Sequence, residues 1–350
     1  MLLLVLFALG ASVGSFLNVC IWRLPRGESL IAPPSHCPRC NTKLQALDLV
    51  PLLSQVFLRA RCRYCSSKIS WRYFGMEFLT GVLFMLVGLQ PGNLSGDSWW
   101  SAVWTGDAVY LLQMMIVISC LLVVFWIDYE TFFIPLSAAL LLGLVGVGGD
   151  AWRVFQGTSQ LTDGTIFPGY ALLPAPVPQS ILAMVVASAF LWLLRALFSW
   201  IYKQEAMGFG DVFLVAAIAA NIGWSGLLGT FFFLSVILGA FVGIPLRIPH
   251  AIRAYRWASA RRRKYAAAQS TEESGQSRNV PRLLAQRAFR KAIPFGPMLA
   301  VGALVTLLYG TRLTESYLNW VNNISQPEAP QMQMRSSAMP DAMATMSGTR

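Results

Sequence analysis

Met207-Gly208-Phe209-Gly210-Asp211 runs straight into Val212-Phe213-Leu214-Val215-Ala216-Ala217-Ile218. A carboxylate stands between two glycines and an almost wholly apolar segment. A charged group at the edge of hydrocarbon is costly to place, so in a membrane chain it is a default candidate for function. The plainer reading makes Asp211 a helix N-cap and the glycines a turn. A second carboxylate at the same depth would decide between them. The apolar character of this stretch recurs along most of the 350 residues, which are 55% hydrophobic and 12% charged, with a mean hydropathy of +0.55. Soluble domains carry about 25% charged residues. In lipid only helices and closed barrels satisfy their own backbone, and long unalternating apolar runs exclude a barrel. The expected fold is therefore all-α and polytopic.

About eight transmembrane helices are expected, near 2–22, 74–90, 108–127, from 132 to the glycines at 146–149, then 179–202, 211–222, 226–246 and 293–310. The first lacks a basic lead-in and a small-residue cleavage site, and reads as a retained span. Three regions follow: 1–90 with a polar, cysteine-bearing segment at 23–73; 91–310, which includes a Gly/Pro-rich loop at 150–178 and a basic loop at 247–291; and a tail at 311–350 with little to bury, expected to be disordered. The net charge of +11 reports topology and contact with anionic headgroups rather than nucleic acid.

Lysine and arginine set the orientation. Segment 23–73 and the loop after 247 are rich in both, whereas the loops at 91–107 and 150–178 hold only Arg153. Both basic segments are then cytoplasmic. The span ending at Asp128 exits to the cytoplasm, and the span beginning at Asp211 leaves it. Two carboxylates thus fall at one membrane face by charge counting alone. Arg195 lies within snorkelling reach of that face.

Paired carboxylates can share one proton, leaving one member to activate water and the other to polarise a carbonyl. The alternatives are two interfacial caps, an ion site of an ion-coupled transporter, or a non-catalytic membrane scaffold. Glu130 and Glu205 read as solvated surface charges. Cys37-Pro38-Arg39-Cys40 and Cys62-Arg63-Tyr64-Cys65 form two C-x-x-C pairs, the spacing of a structural zinc site of four thiolates, Cys37, Cys40, Cys62 and Cys65. Two disulfides or a redox pair are the competing readings, disfavoured in the cytoplasm. Cys20 and Cys120 lie inside spans as small apolar residues. Two histidines, His36 and His250, give no support to a histidine-based site. Gly14, Gly75, Gly81, Gly239 and Gly243 read as close-packing positions.

Together these residues resemble the type IV prepilin peptidases, intramembrane aspartic proteases of the GxGD class. The resemblance is carried by Gly14-Ser15-Phe16-Leu17-Asn18-Val19 with Arg23-Leu24-Pro25, by the two C-x-x-C pairs, and by Ile69-Ser70-Trp71-Arg72-Tyr73 leading to Glu77-Phe78-Leu79-Thr80-Gly81. Ile127-Asp128, Gly208-Phe209-Gly210-Asp211 and Ile293-Pro294-Phe295-Gly296-Pro297 complete it. It implies an inner-membrane protein with a cytoplasm-facing site. Asp128 and Asp211 match the catalytic aspartates that cleave leaders of prepilins and type II secretion pseudopilins after a glycine. It also implies N-methylation of the new terminus with S-adenosylmethionine, for which residues of the 14–81 region, Glu77 among them, are candidates. Two positions depart from the family pattern: Pro135 is followed by Leu136 rather than a carboxylate, and Leu49-Val50-Pro51 stands where Asn-Ile-Pro is usual.

Overall fold

The computed structural model describes residues 1–89, 107–157, 161–162, 177–203, 207–241 and 295–325. The loop at 91–106, Glu205, the basic loop with His250, and residues 326–350 lie outside the described residues. The helices are α1 (Leu2–Arg23), α2 (Leu53–Phe57), α3 (Trp71–Gly88), α4 (Asp107–Thr131), α5 (Leu136–Phe155), α6 (Gln179–Tyr202), α7 (Phe209–Ile222), α8 (Leu227–Phe241) and α9 (Gly296–Ser325). Only isolated bridges, and no strands, occur among the described residues.

Five of these helices, α1, α4, α5, α6 and α9, are long and apolar enough to cross a membrane. The chain is a multi-pass membrane protein, but the expected eight spans are not reached among the described residues. Helices α7 and α8 are apolar yet shorter. Helix α3 has 18 residues and carries Arg72 and Glu77.

Two buried clusters organise the bundle, and α4 is the wall between them. Val117, Leu121 and Val124 face Leu142 of α5, Ala183 of α6, Leu214 and Ile218 of α7 and Leu299 of α9. Met114, Ile118, Leu122 and Ile127 face Leu17 and Ile21 of α1 and Met76 and Phe84 of α3. A helix that is apolar on all sides belongs between two layers. Helices α1 and α3 are the most extensively packed pair. A Cβ at Gly10 would stand 2.7 Å from the Thr80 carbonyl oxygen, and one at Gly14 2.8 Å from the Glu77 Cα. Gly81 meets the Phe7 ring in the same way, whereas Gly75 has open space around it. Gly243 lies outside the described residues.

Two boundaries differ from the sequence expectation. The helix expected to fade at Gly146–Gly149 runs on to Phe155. Glycine weakens a helix in water, but here it makes room: a Cβ at Gly146 would stand 2.8 Å from Ala220, and one at Gly149 would collide with Gln113. Gln113 and Asn221 bond at 3.3 Å, Asn221 reaches the Leu142 carbonyl at 2.9 Å, and Asp150 accepts the Ser180 N–H at 2.9 Å. This polar layer ties α4 to α7 about 22 Å along α4 from Asp128, at 1.5 Å per residue. At the other boundary, α9 continues through Ser325, so the segment expected to begin a disordered tail at 311 starts as helix.

Candidate active site

Asp128 sits in the last turn of α4, which ends where Phe132 takes φ 57°. Asp211 sits in the first turn of α7, whose N-cap is Gly208. Asp211 is thus the third residue of the helix and not its cap. From that position it reaches back to accept the Gly208 backbone N–H, half of a capping box. Both aspartates are buried, and the charge of Asp128 acts on Asp211 across the gap between the helices.

Local packing explains the meeting. The α4–α5 connection lays Ile134 over Gly210, where a Cβ would stand 3.1 Å from the Ile134 Cβ. From the third side comes the start of α9. A Cβ at Gly296 would stand 2.5 Å from Asp128 Oδ2, and the Gly296 backbone N–H approaches the carboxylate. Only glycine allows that approach. Asp128 Oδ2 is itself buried with no hydrogen-bond partner among the described residues. Such an oxygen is poised to accept from a substrate or water.

Arg195 has partners within the protein. Its Nε donates to the Met207 carbonyl at 2.8 Å, and its guanidinium lies 3.7 Å from the centroid of the Phe209 ring. It grips the turn that presents Asp211. Glu130 pairs with Arg72 at the start of α3, and the Arg72 guanidinium lies 5.5 Å from the centroid of the Trp126 ring. Neither role is visible in the sequence, because Arg195 bonds a main-chain carbonyl and Glu130 finds its partner 58 residues away.

The four thiols of Cys37, Cys40, Cys62 and Cys65 lie within 4.8 Å of one another, and all are free. They are held by two copies of one turn. Cys37 N–H donates to Thr42 at 3.0 Å and Cys62 N–H to Ser67 at 2.9 Å; Asn41 and Ser66 each donate back at 2.9 Å. The fourth residue after each leading cysteine is left-handed, Asn41 at φ 54° and Ser66 at φ 56°. The Cys40 backbone N–H holds the Cys37 thiol down to about 6, and the Ser67 hydroxyl lowers Cys65. Four thiols that converge from two knuckles, two of them held toward the thiolate, fit a tetrahedral zinc ion. His36 stays outside the cluster, with Nδ1 3.2 Å from the Pro34 oxygen. Asp48 fastens the second knuckle: it accepts from Tyr64 at 3.0 Å and Gln45 at 3.1 Å and pairs with Arg63 at 2.7 Å.

Glu77 is buried on α3. It accepts the Leu52 N–H at 2.7 Å and the Gln55 side-chain amide at 3.5 Å, which anchors α2 and the thiol-bearing segment to the membrane helices.

Residues 8–90 match the bacterial peptidase A24 N-terminal domain, and residues 115–244 match the type IV leader peptidase family. A protein of Myxococcus xanthus named prepilin leader peptidase/N-methyltransferase is 35% identical over 68% of this chain and 61% of its own length. Proteins of the same name from Neisseria gonorrhoeae and Aeromonas hydrophila are 31% and 30% identical, over 80% and 92% of their lengths and 69% and 89% of this chain. No solved structure matches.

Proposed function

The chain belongs to the type IV leader peptidase family, and we propose that it is a prepilin leader peptidase and N-methyltransferase whose hydrolytic centre is the Asp128–Asp211 pair. The observation that carries the assignment is the convergence of two buried carboxylates at the facing ends of α4 and α7. The proposed setting is the bacterial inner membrane, with this face toward the cytoplasm and anionic headgroups around the basic segments. The substrates are prepilins and type II secretion pseudopilins.

Paired carboxyl groups that feel one another's charge can share one proton. The ionised member takes a proton from water, whose oxygen forms a bond to the scissile carbonyl carbon. The protonated member gives its proton to the carbonyl oxygen. Collapse breaks the C–N bond: the amine leaves with the proton that the first carboxyl gained, and a hydroxyl of the tetrahedral intermediate returns a proton to the second carboxylate as the new carboxyl group forms. The Gly208 and Gly296 amides hold the two carboxylates in place, and Gly208, where a Cβ would meet nothing closer than 3.8 Å, leaves room for an extended substrate backbone.

Cys37, Cys40, Cys62 and Cys65 would hold zinc, which supplies a structural cross-link for a segment with little core of its own. S-adenosylmethionine would supply the methyl group for the second activity. Asp128→Ala and Asp211→Ala should each lower prepilin cleavage by at least about 10²-fold, the scale of general acid–base catalysis, while the protein stays membrane-inserted. Mass spectrometry of the product N-terminus reads cleavage and methylation together. Normal leader removal by either variant would sink the dyad.

A further inference from the structure

We propose that Asn18, Gln55 and Glu77 form a binding site for a primary ammonium group. The site lies where α1, α2 and α3 meet, apart from the aspartate pair. It rests on the reading of the chain as a peptidase and methyltransferase, and deepens the second activity.

The warrant is a surplus of buried acceptors. Asn18 is 4% exposed, Gln55 9% and Glu77 5%. Asn18 Nδ2 donates to the Gly14 carbonyl at 3.2 Å and the Tyr73 carbonyl at 3.3 Å. Reversing the amide would set oxygen against two carbonyls, so the orientation is fixed by its donors. Gln55 Nε2 donates to Glu77, which fixes that amide too. Both side-chain oxygens, Asn18 Oδ1 and Gln55 Oε1, are then left buried without a partner among the described residues. Glu77 receives Leu52 N–H, Gln55 Nε2 and the Ser15 hydroxyl. A carboxylate offers about four acceptor positions, so one stays open.

Three open acceptors and one negative charge call for three donors and one positive charge, which is a primary ammonium. None is supplied among the described residues. No ion pair among the described residues includes Glu77, and Arg23, the nearest arginine to Asn18 in the sequence, donates to Ser29 at 2.8 Å and Pro33 at 2.6 Å. Asn18 and Gln55 meet α3 at Tyr73 and Glu77, one helical turn apart on one face. The Arg72–Glu130 pair sets this start of α3 beside the end of α4 that carries Asp128. An amine produced at the aspartates emerges at the same end of the bundle.

Two ligands of the reaction carry this chemistry: the α-ammonium of the newly cut pilin and that of the methyl donor. Purified full-length protein in detergent would be titrated with a peptide beginning in Phe, its N-terminus free or acetylated, and separately with S-adenosylhomocysteine. The proteins compared are the wild type, Gln55→Met and Glu77→Gln, with zinc content as the control for folding. If the site takes the peptide, the wild type prefers the free terminus by about tenfold or more, the scale of a charged hydrogen bond, and both variants lose that preference. If it takes the donor, S-adenosylhomocysteine weakens by about the same factor in both variants and the peptide preference is unchanged. Gln55→Met carries the test if Glu77→Gln fails to retain zinc. Wild-type binding of both ligands by the variants overturns the site and marks it as a water-filled seam. Ligand binding by a wild-type protein that cleaves no prepilin would instead overturn the functional reading and leave the site standing.

Discussion

The four-thiol loop and the two-aspartate centre are built in opposite ways. In the loop, each half is a six-residue turn, 37–42 or 62–67, closed by its own backbone, and the two halves repeat one another at Asn41 and Ser66. The aspartate centre has no local plan. Asp128, the Gly208–Asp211 turn, Ile134 and Gly296 come from four parts of the chain and meet only through the packing of α4, α7 and α9. A local site depends on its ligand and fails in one step. A distributed site depends on many contacts and erodes by degrees.

The sharpest break is expected in the loop. Cys40→Ser should abolish zinc binding, read by metal analysis, and leave residues 23–73 open to protease, because one ligand of four is gone. Retained metal, or two intact disulfides in the parent protein, would remove the contrast and the cytoplasmic orientation with it. Gly296→Ala comes next. Its methyl group would press on Asp128, and a displacement near 1 Å at a reacting group costs about 10²-fold. Cleavage should fall by that order while zinc content holds. Arg195→Met removes a charged hydrogen bond and a ring contact from the turn before Asp211, and prepilin cleavage is expected to drop about tenfold.

The smallest effect is placed at Asp48. Burial opposes its charge, but the Gln45 N–H, the Tyr64 hydroxyl and Arg63 together hold its carboxyl below the ordinary range. A lowered folded pKa contributes stability that is full above the unfolded value near 3.9 and is lost as pH falls through the folded one. At pH 7, Asp48→Asn should speed zinc loss to a chelator by about threefold, the scale of one modest hydrogen bond. Equal rates in wild type and variant would mean that the second knuckle holds itself without this clasp.

The same contrast explains what could be read from the sequence. The thiol pairs were legible because their partners lie within one short segment. The aspartates were legible as a pair because lysine and arginine bias orients the spans without reference to packing. The extension of α5 was not, since Gly146 and Gly149 look like helix breakers until Asn221 and Gln113 are seen against them. The grip of Arg195 on Met207 is not legible, because its acceptor is a main-chain carbonyl, which no residue type advertises. Resemblance makes Glu77 a candidate for the methyl-donor site. In the structure it first of all pins α2 to α3.

Each aspartate of the centre faces the main-chain amide of a glycine, Gly208 for Asp211 and Gly296 for Asp128. A main-chain donor is present whatever residue other than proline occupies the position. Short of proline, substitution changes mainly whether a side chain crowds it, so in the proposed centre drift at these two sites blocks the chemistry rather than retuning it. Variation that adapts such an enzyme to new pilins must therefore accumulate in the walls around the carboxylates, with their supports held constant.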